Sequence, residues 1–366
     1  MLERNRTVLL AVTTRMGWKV YGERLCRAAA EYAESSVDFV PFTPWPWARH
    51  IYWQTGYSDN TPAHLNFFDP FTVMSWQAAS MPLLWRDYSA AVVATQGVAA
   101  GIMKCRPKLP IFLIVDATRQ LYKQQFGACH ISDQAIEREA TLFKKCAHIF
   151  SLSHWAAESI VGSSGIPTSK ITVLPPPSAD LAFKFEVKAS SHHQANRLKV
   201  LFVGLDFKRK GGAKLLQWQR ERLSQYIDLF IVTEDKHADP SVPNTTWLGP
   251  IKNDLLVRDI MSSMDILLHP TQKDCSSIVV AEAAMCGLPA IASSIGGIGD
   301  LIDNGITGVV IAPHQSEEFI NTLIFYFHNR MALGQLGRNA RDKALREFRA
   351  NAILNKIMAI VKMSKH

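Results

Sequence analysis

LKVLFVGLDFKRKGGAKLLQWQRERL, residues Leu198 to Leu223, decides the fold of this chain. An apolar run, Lys199–Val203, enters a turn holding Gly204, Gly211 and Gly212, and an amphipathic helical pattern follows. A strand that passes through a glycine turn into a helix is how a doubly wound sheet begins. RTVLLAVTTRMGWKVYGERLCRAAAEYA, Arg6 to Ala33, opens in the same way, with Gly17 in its turn. Two such openings predict two α/β domains, and 366 residues exceed what one hydrophobic core usually organises.

The segment between the openings, LPPPSADLAFKFEVKASSHHQANR (Leu174 to Arg197), is rich in Pro, Ser and His, has no sustained period and reads as a linker. The expected organisation is a first domain at 1–175, a linker at 176–197, a second domain at 198–345 and a helix at 346–366 that packs back on the first domain. After Lys199–Val203, the second domain offers strands at Asp228–Val232, Thr246–Leu248, Asp265–Leu268, Pro289–Ala292 and Gly308–Ile311, with helical patterns between most of them. That alternation predicts a parallel sheet covered on both faces. The first domain is less regular, with strands expected at Val8–Val12, Val37–Val40, Ala90–Val93, Pro110–Val115 and His148–Leu152. Pro41 to Tyr57, PFTPWPWARHIYWQTGY, reads as an aromatic loop. From about Gln335 to Lys365 the pattern predicts two helices.

Hydrophobic residues make up 48% and charged residues 20%, a globular balance. The longest apolar-leaning stretch, Ala90 to Met103, contains Gln96 and two glycines and falls short of a membrane span. The charged N-terminus precedes a short apolar run that reads as a first strand instead of a signal peptide. The six cysteines (Cys26, Cys105, Cys129, Cys146, Cys275 and Cys286) form no C-x-x-C pair, which suits a reducing cytosol and argues against a zinc site. A net charge of +8 attracts anions, and with no basic–aromatic run, phosphorylated small molecules or anionic lipid are expected before nucleic acid.

Open parallel sheets bind ligands beyond the carboxyl ends of their strands, so the chemistry is sought in the strand-to-helix turns. In the Gly204–Gly212 turn, glycines allow close backbone approach, the next helix offers free N–H groups, and Lys208, Arg209 and Lys210 add positive charge. Those are the needs of a phosphate site, although a solvated basic turn accounts for them equally. In DCSSIVVAEAAMCGLP (Asp274 to Pro289), Ile278 to Met285 predicts a buried helix closed by Gly287. Glu282 interrupts it, and a carboxylate there needs a partner such as a ligand hydroxyl. The other account makes Asp274 or a serine the N-cap and leaves Glu282 on a solvated edge. Ser293–Ile302, with Gly296 and Gly297, and Leu248-Gly249-Pro250 complete the strand ends. In the first domain Asp116 follows the strand IFLIV, where it serves the acceptor side, acts as a base, or caps the next helix. His130, His148 and His154 read as ordinary interior or surface residues.

The run from His269 to Ile311, HPTQKDCSSIVVAEAAMCGLPAIASSIGGIGDLIDNGITGVVI, resembles the donor signature of the retaining family-4 glycosyltransferases of GT-B fold. That family's Glu-x7-Glu motif appears as Asp274-x7-Glu282. FVGLDFKRKGG is similar to its phosphate-binding turn, and SLSHWAAES (Ser151 to Ser159) to a stretch of its first domain. The resemblance implies two Rossmann-like doubly wound domains facing across a cleft, the first taking the acceptor and the second the nucleotide-diphosphate sugar. It implies that Lys210 grips the diphosphate with Arg209 beside it, and that Gly204, Lys208 and Gly211 shape that turn. Glu282 would bind the ribose and Asp274 the transferred sugar. The N–H groups near Ser276, Ser277 and Ile278 would face sugar and phosphate, and the base would lie on Gly249 and Pro250.

Three features depart from the family pattern: Leu205 replaces an arginine, Asp274 is one methylene shorter than glutamate, and the stretch Cys275-Ser276-Ser277 replaces a small or aromatic glycine-rich one. The implied activity is transfer of a hexose-type sugar with retention, to a glycan, lipid-linked or small-molecule acceptor. The cations supply charge to the leaving phosphate. The sequence calls for neither a cofactor nor a metal, and uridine and guanosine diphosphate donors both remain open. Gly17, Trp45, Trp47 and Asp116 are expected on the acceptor side. The aromatic loop is placed at the acceptor, at an anionic membrane or in the core. A cytoplasmic protein, with peripheral contact at the inner membrane face, is expected. A nucleotide-sugar epimerase or sugar phosphorylase on this fold and a non-catalytic nucleotide-sugar binder are the competing readings.

Overall fold

The computed structural model describes residues 7–13, 17–32, 37–42, 77, 80, 86–129, 131–178, 197–234, 239 and 241–364, without the side chains of Thr13 and Arg258. Two compact units emerge, one of Met1–Pro175 with Asn351–His366 and one of Pro176–Ala350.

In the first unit the described elements run β1 (Val8–Thr13), α1 (Gly17–Glu31), β2 (Val37–Phe42), β3 (Ala90–Ala94), α2 (Gln96–Cys105), β4 (Ile111–Val115), α3 (Arg119–Gln125), α4 (Asp133–Lys145), β5 (His148–Ser151), α5 (His154–Ser164) and β6 (Ile171–Val173). The strands form one parallel sheet in the order β2-β1-β3-β4-β5-β6. Every residue of β3 and β4 is buried, as expected of a sheet covered on both faces. Pro41 and Phe42, expected to open the aromatic loop, belong to β2 instead. That strand is the sheet's edge, where a residue without an N–H is tolerated. Trp45, Trp47 and the remainder of the stretch to Tyr57 lie outside the described residues, as do His130 and positions 179–196 of the linker. Gly17, expected in a turn, is the first residue of α1.

The second unit runs β7 (Leu198–Val203), α6 (Gly212–Trp218), β8 (Ile227–Val232), β9 (Thr245–Trp247), α7 (Asn253–Leu255), β10 (Ile266–His269), α8 (Ile278–Met285), β11 (Ala290–Ser293), α9 (Ile298–Leu301), β12 (Gly308–Ile311), α10 (Ser316–His328) and α11 (Arg330–Glu347). Its parallel sheet has the order β12-β11-β10-β7-β8-β9. The chain steps from β7 outward to β8 and β9, then returns to lay β10 on the other side of β7. The winding therefore reverses between β7 and β10, and in the first unit between β1 and β3. Each reversal opens a crevice at the carboxyl ends of its two strands.

The last helix, α12 (Ala350–Met363), belongs to the first unit from Asn351 onward. It buries a stripe of Ile353, Leu354, Ile357, Met358 and Val361, the spacing of one helix face. Asn351 Nδ2 donates to Glu31 Oε2 at 3.0 Å, and the Lys362 ammonium lies 5.7 Å from the centre of the Tyr32 ring. No described helix is long and apolar enough to cross a membrane.

Candidate functional site

The reversal between β7 and β10 brings together the Gly204–Gly212 turn and the turn from Pro270 to Ser277, which lie far apart in sequence. Hydrogen bonds to backbone carbonyls stitch the two. Gln272 N–H donates to Arg209 O at 3.0 Å, and Arg209 Nη1 donates to Lys273 O at 2.6 Å. Gly211 has φ +89°, and a Cβ there would stand 2.1 Å from Pro270 O, so only glycine fits. The turn after β11 supports the second turn from its far side. Gly297 N–H donates to Cys275 O at 2.6 Å, and a Cβ on Gly296 (φ +59°) would meet Asp274 O at 2.2 Å.

This backbone arrangement joins Lys210 to Asp274. The ammonium donates to Asp274 Oδ2 at 2.5 Å, with the two side chains 15% and 12% exposed. His269, the last residue of β10, is fully buried, and its Nε2 lies 3.0 Å from the same carboxylate oxygen. Ser277 Oγ sits 3.2 Å from that nitrogen. Asp274 Oδ1 accepts only the N–H of Cys275, at 3.2 Å, among its described hydrogen bonds. Burial alone would raise the Asp274 carboxyl. The Lys210 charge and the His269 donor overrule it and hold the acid well below the usual carboxylate range. Burial first, and the Lys210 charge second, push the His269 imidazole below its ordinary value, so it is neutral near pH 7.

Arg209 is engaged twice, through Nε to Asp206 Oδ2 at 2.8 Å and through Nη1 to Lys273 O, which makes it a clamp on the two turns. Lys208 and Leu205 are exposed, Leu205 by 59%. Gly204 is buried behind Lys210, whose Cβ a side chain on Gly204 would strike. Ser277 is the N-cap residue of α8, but its side chain turns toward His269 instead of capping. The first N–H groups of a helix have no partner within it, so Ile278 and its neighbours offer donors beside Lys210 and Asp274. Ser276 is half-buried in the same turn. Glu282 lies inside α8 at 1% exposure, not on a solvated edge, and its Oε2 accepts from Asn253 Nδ2 at 3.0 Å. Gly249, φ +66°, and exposed Pro250 follow β9, with open space where a Gly249 side chain would be.

In the first unit, Asp116 is half-buried just past β4. It is not the helix cap. Thr118 holds that place, its Oγ1 accepting from Leu121 N–H at 3.2 Å and pairing with Ser159 Oγ at 2.6 Å. Beside Asp116 lies a buried acid not singled out by the sequence, Glu139 of α4. Its Oε1 accepts from Gln96 Nε2 at 3.1 Å and its Oε2 from Arg119 N–H at 2.8 Å. Gln96 Nε2 also donates to Ala117 O at 2.9 Å, so one carboxyl ties the turns after β3 and β4. Burial raises Glu139 to about 7, with the Asp116 charge adding to the rise and Arg119 and Gln96 opposing it. Thr95, between β3 and α2, holds φ +82°, a strained value for a β-branched residue. Among the described residues no group of three or more His, Cys, Asp or Glu side chains is placed to hold a metal.

Residues 197–329 match the family described as glycosyl transferases group 1. The group 1 segment contains Lys210, Asp274, His269 and Glu282 and leaves Gly17 and Asp116 outside. Lipopolysaccharide glucosyltransferase WaaG of Escherichia coli K12 is 28% identical over 173 residues, 42% of this chain and 46% of that protein. The match thus spans less than half the length of this curated relative. Solved structures extend the likeness over both units. Sucrose-phosphate synthase from Thermosynechococcus elongatus gives a TM-score of 0.72 at 16% identity, covering 98% of each chain. Anabaena HepE, solved in complex with UDP-glucose, gives 0.68 at 15% identity over 98% of this chain and 100% of that one. At such identities the likeness establishes the fold, two Rossmann-like units of GT-B type.

Proposed function

We propose that this protein is a glycosyltransferase whose second unit binds a nucleotide-diphosphate sugar and transfers its hexose-type sugar, with retention and without a metal, to a glycan, lipid-linked or small-molecule acceptor. The observation that carries the proposal is the Lys210–Asp274–His269 cluster beside the open N-terminus of α8, at the switch point of a sheet matched to glycosyl transferases group 1. Cleaving the anomeric C–O bond builds positive charge on the sugar ring and negative charge on the departing diphosphate. A preorganised ammonium and helix N–H groups aimed at that phosphate favour the transition state over the ground state. Lys210 and the α8 N-terminus supply these groups, and Arg209 holds the turn that presents them. Glu282 takes the ribose hydroxyls, Asp274 a hydroxyl of the sugar, and Gly249 with Pro250 the base. Attack from the face of the leaving group lets the phosphate accept the acceptor's proton, so no enzyme nucleophile is required.

HepE was solved with UDP-glucose, which makes UDP-linked hexoses the first donors to test, with GDP-linked ones beside them. WaaG is a lipopolysaccharide glucosyltransferase, which favours a glycan or lipid-linked acceptor. Asp116 and Gly17 serve the acceptor side. The proposed setting is cytoplasmic, with peripheral contact to anionic membrane drawn by the net charge of +8. A thermal-shift screen over UDP- and GDP-sugars tests the proposal. Ligand at one hundred times its dissociation constant stabilises the fold by about 2.7 kcal/mol. A selective rise with one sugar nucleotide, and a product whose anomeric proton coupling matches the donor's, is expected. No rise with any member of the panel overturns the proposal.

A further inference from the structure

His269 is a fully buried side chain with hydrogen-bonding work at one nitrogen only. Its Nε2 faces Asp274 Oδ2 at 3.0 Å and Ser277 Oγ at 3.2 Å, while its Nδ1 is buried with no hydrogen-bond partner among the described residues. Among the described residues, the charged and titratable groups that act on the ring are Lys210, Arg209 and Asp274, and burial together with the Lys210 charge favours the neutral imidazole. A neutral imidazole carries one N–H. Placed on Nδ1 it would be a buried donor without an acceptor, at a cost of about 1–3 kcal/mol. On Nε2 it meets a carboxylate. The acceptors therefore assign the proton to Nε2.

Lys210 alone cannot orient Asp274. An ammonium is close to a point charge that attracts either carboxylate oxygen, whereas an N–H on a rigid ring is directional. With His269 in place, Oδ2 receives both the ring N–H and the ammonium, and Oδ1 receives only the Cys275 N–H. Oδ1 thus keeps acceptor capacity.

Resting on the donor-site proposal, we infer that His269 is a positioning residue, whose Nε2–H locks Asp274 Oδ2 onto Lys210 and leaves Oδ1 for a hydroxyl of the transferred sugar. His269 touches neither sugar nor phosphate; it decides which carboxylate oxygen does. The aspartate's missing methylene makes this anchor matter, because a shorter arm has fewer orientations that serve both the ammonium and the sugar.

The experiment compares His269→Leu, which fills the volume without a donor, with His269→Gln, whose amide nitrogen reaches about as far as Nε2. Calorimetry measures the affinity of UDP-glucose and of UDP for each, and 15N NMR of the unliganded wild type reads the ring tautomer. The expected tautomer is Nε2–H, with the ring neutral near pH 7. His269→Leu is expected to lose about tenfold in the preference for UDP-glucose over UDP, with UDP affinity nearly kept, and His269→Gln to recover most of it. A lower melting temperature with the preference intact marks a merely structural histidine and overturns the inference. So does an Nδ1–H tautomer, or a glutamine variant as impaired as the leucine one. If His269→Leu does not fold, His269→Asn replaces it, since its amide reaches only the Nδ1 position and should fail where glutamine succeeds. A wild type that binds neither UDP nor UDP-glucose sinks the donor-site reading and the sugar role with it, while the tautomer still reports separately on the His269–Asp274 contact.

Discussion

Glu139 should make the first unit's stability depend on pH in a direction opposite to most carboxylates. Its acid is raised from an ordinary 4.5 to about 7, chiefly by burial. The folded state therefore binds this proton more tightly than the unfolded state. Between those two values the unfolded chain holds fewer protons, so stability is full below about 4.5 and declines as pH climbs through about 7. At about 1.4 kcal/mol per unit, the span corresponds to a loss on the order of 3 kcal/mol by pH 8. Glu139→Gln mimics the protonated acid at every pH. It can still accept from Arg119 N–H; its amide nitrogen faces Gln96 Nε2, which stays bound to Ala117 O, so that bond is lost at every pH and its constant cost does not enter the pH dependence. Urea unfolding of both proteins at half-unit steps from pH 4.5 to 8 gives two stability curves. The gap between them should shift by about 3 kcal/mol in favour of the glutamine variant as pH rises. Parallel curves, or a gap that moves the other way, would refute the assignment of Glu139 as an acid held protonated by burial.

Gly211→Ala forces a Cβ to 2.1 Å from Pro270 O at φ +89°, and an apparent destabilisation of about 2 kcal/mol or more is expected in a thermal melt, with diphosphate affinity reduced alongside. Glu282→Ala should abolish transfer while circular dichroism stays native; near-normal turnover in that folded variant would contradict the ribose assignment. For Lys210→Ala, the loss is expected in kcat more than in donor affinity, because the leaving phosphate gains charge only as the bond breaks. Weaker binding at equal turnover would make Lys210 a binding residue only. Turnover should persist in excess chelator, and loss that added divalent metal restores would overturn the metal-free proposal.

The second unit was legible because its strands are short apolar runs between glycine turns, and because burial on both faces leaves little polar alternation to mislead. The buried helix at Ile278–Met285 and the carboxylate inside it followed from that pattern. Contacts made only by topology were not legible. Lys210 and Asp274 are 64 residues apart and meet only because β10 returns beside β7. His269 closes an apolar strand and has the look of core, so its polar partner was invisible without the turn that follows. Glu139 sits on a helix with a charged face, where an acid is expected in water. In the first unit β6, with three half-buried residues, carries too short a pattern to detect. Pro41 argued for a loop because an edge strand cannot be told from a turn without knowing which strand lies outermost. Of the three roles open to Asp116, the helix cap falls, because Thr118 takes that place two residues later.

Helix α12 carries a consequence for the order in which the protein can be made. The burial of its apolar stripe is worth on the order of 10 kcal/mol. Yet Asn351–His366 follows the whole of Pro176–Ala350 in the chain. At ribosomal speeds the second unit takes on the order of ten seconds or more to emerge. Through that interval the first unit lacks its last helix, and the second can finish folding before the first does. The unit synthesised first is thus the last to receive its whole chain, and a stretch ending at Pro175 would lack this helix permanently.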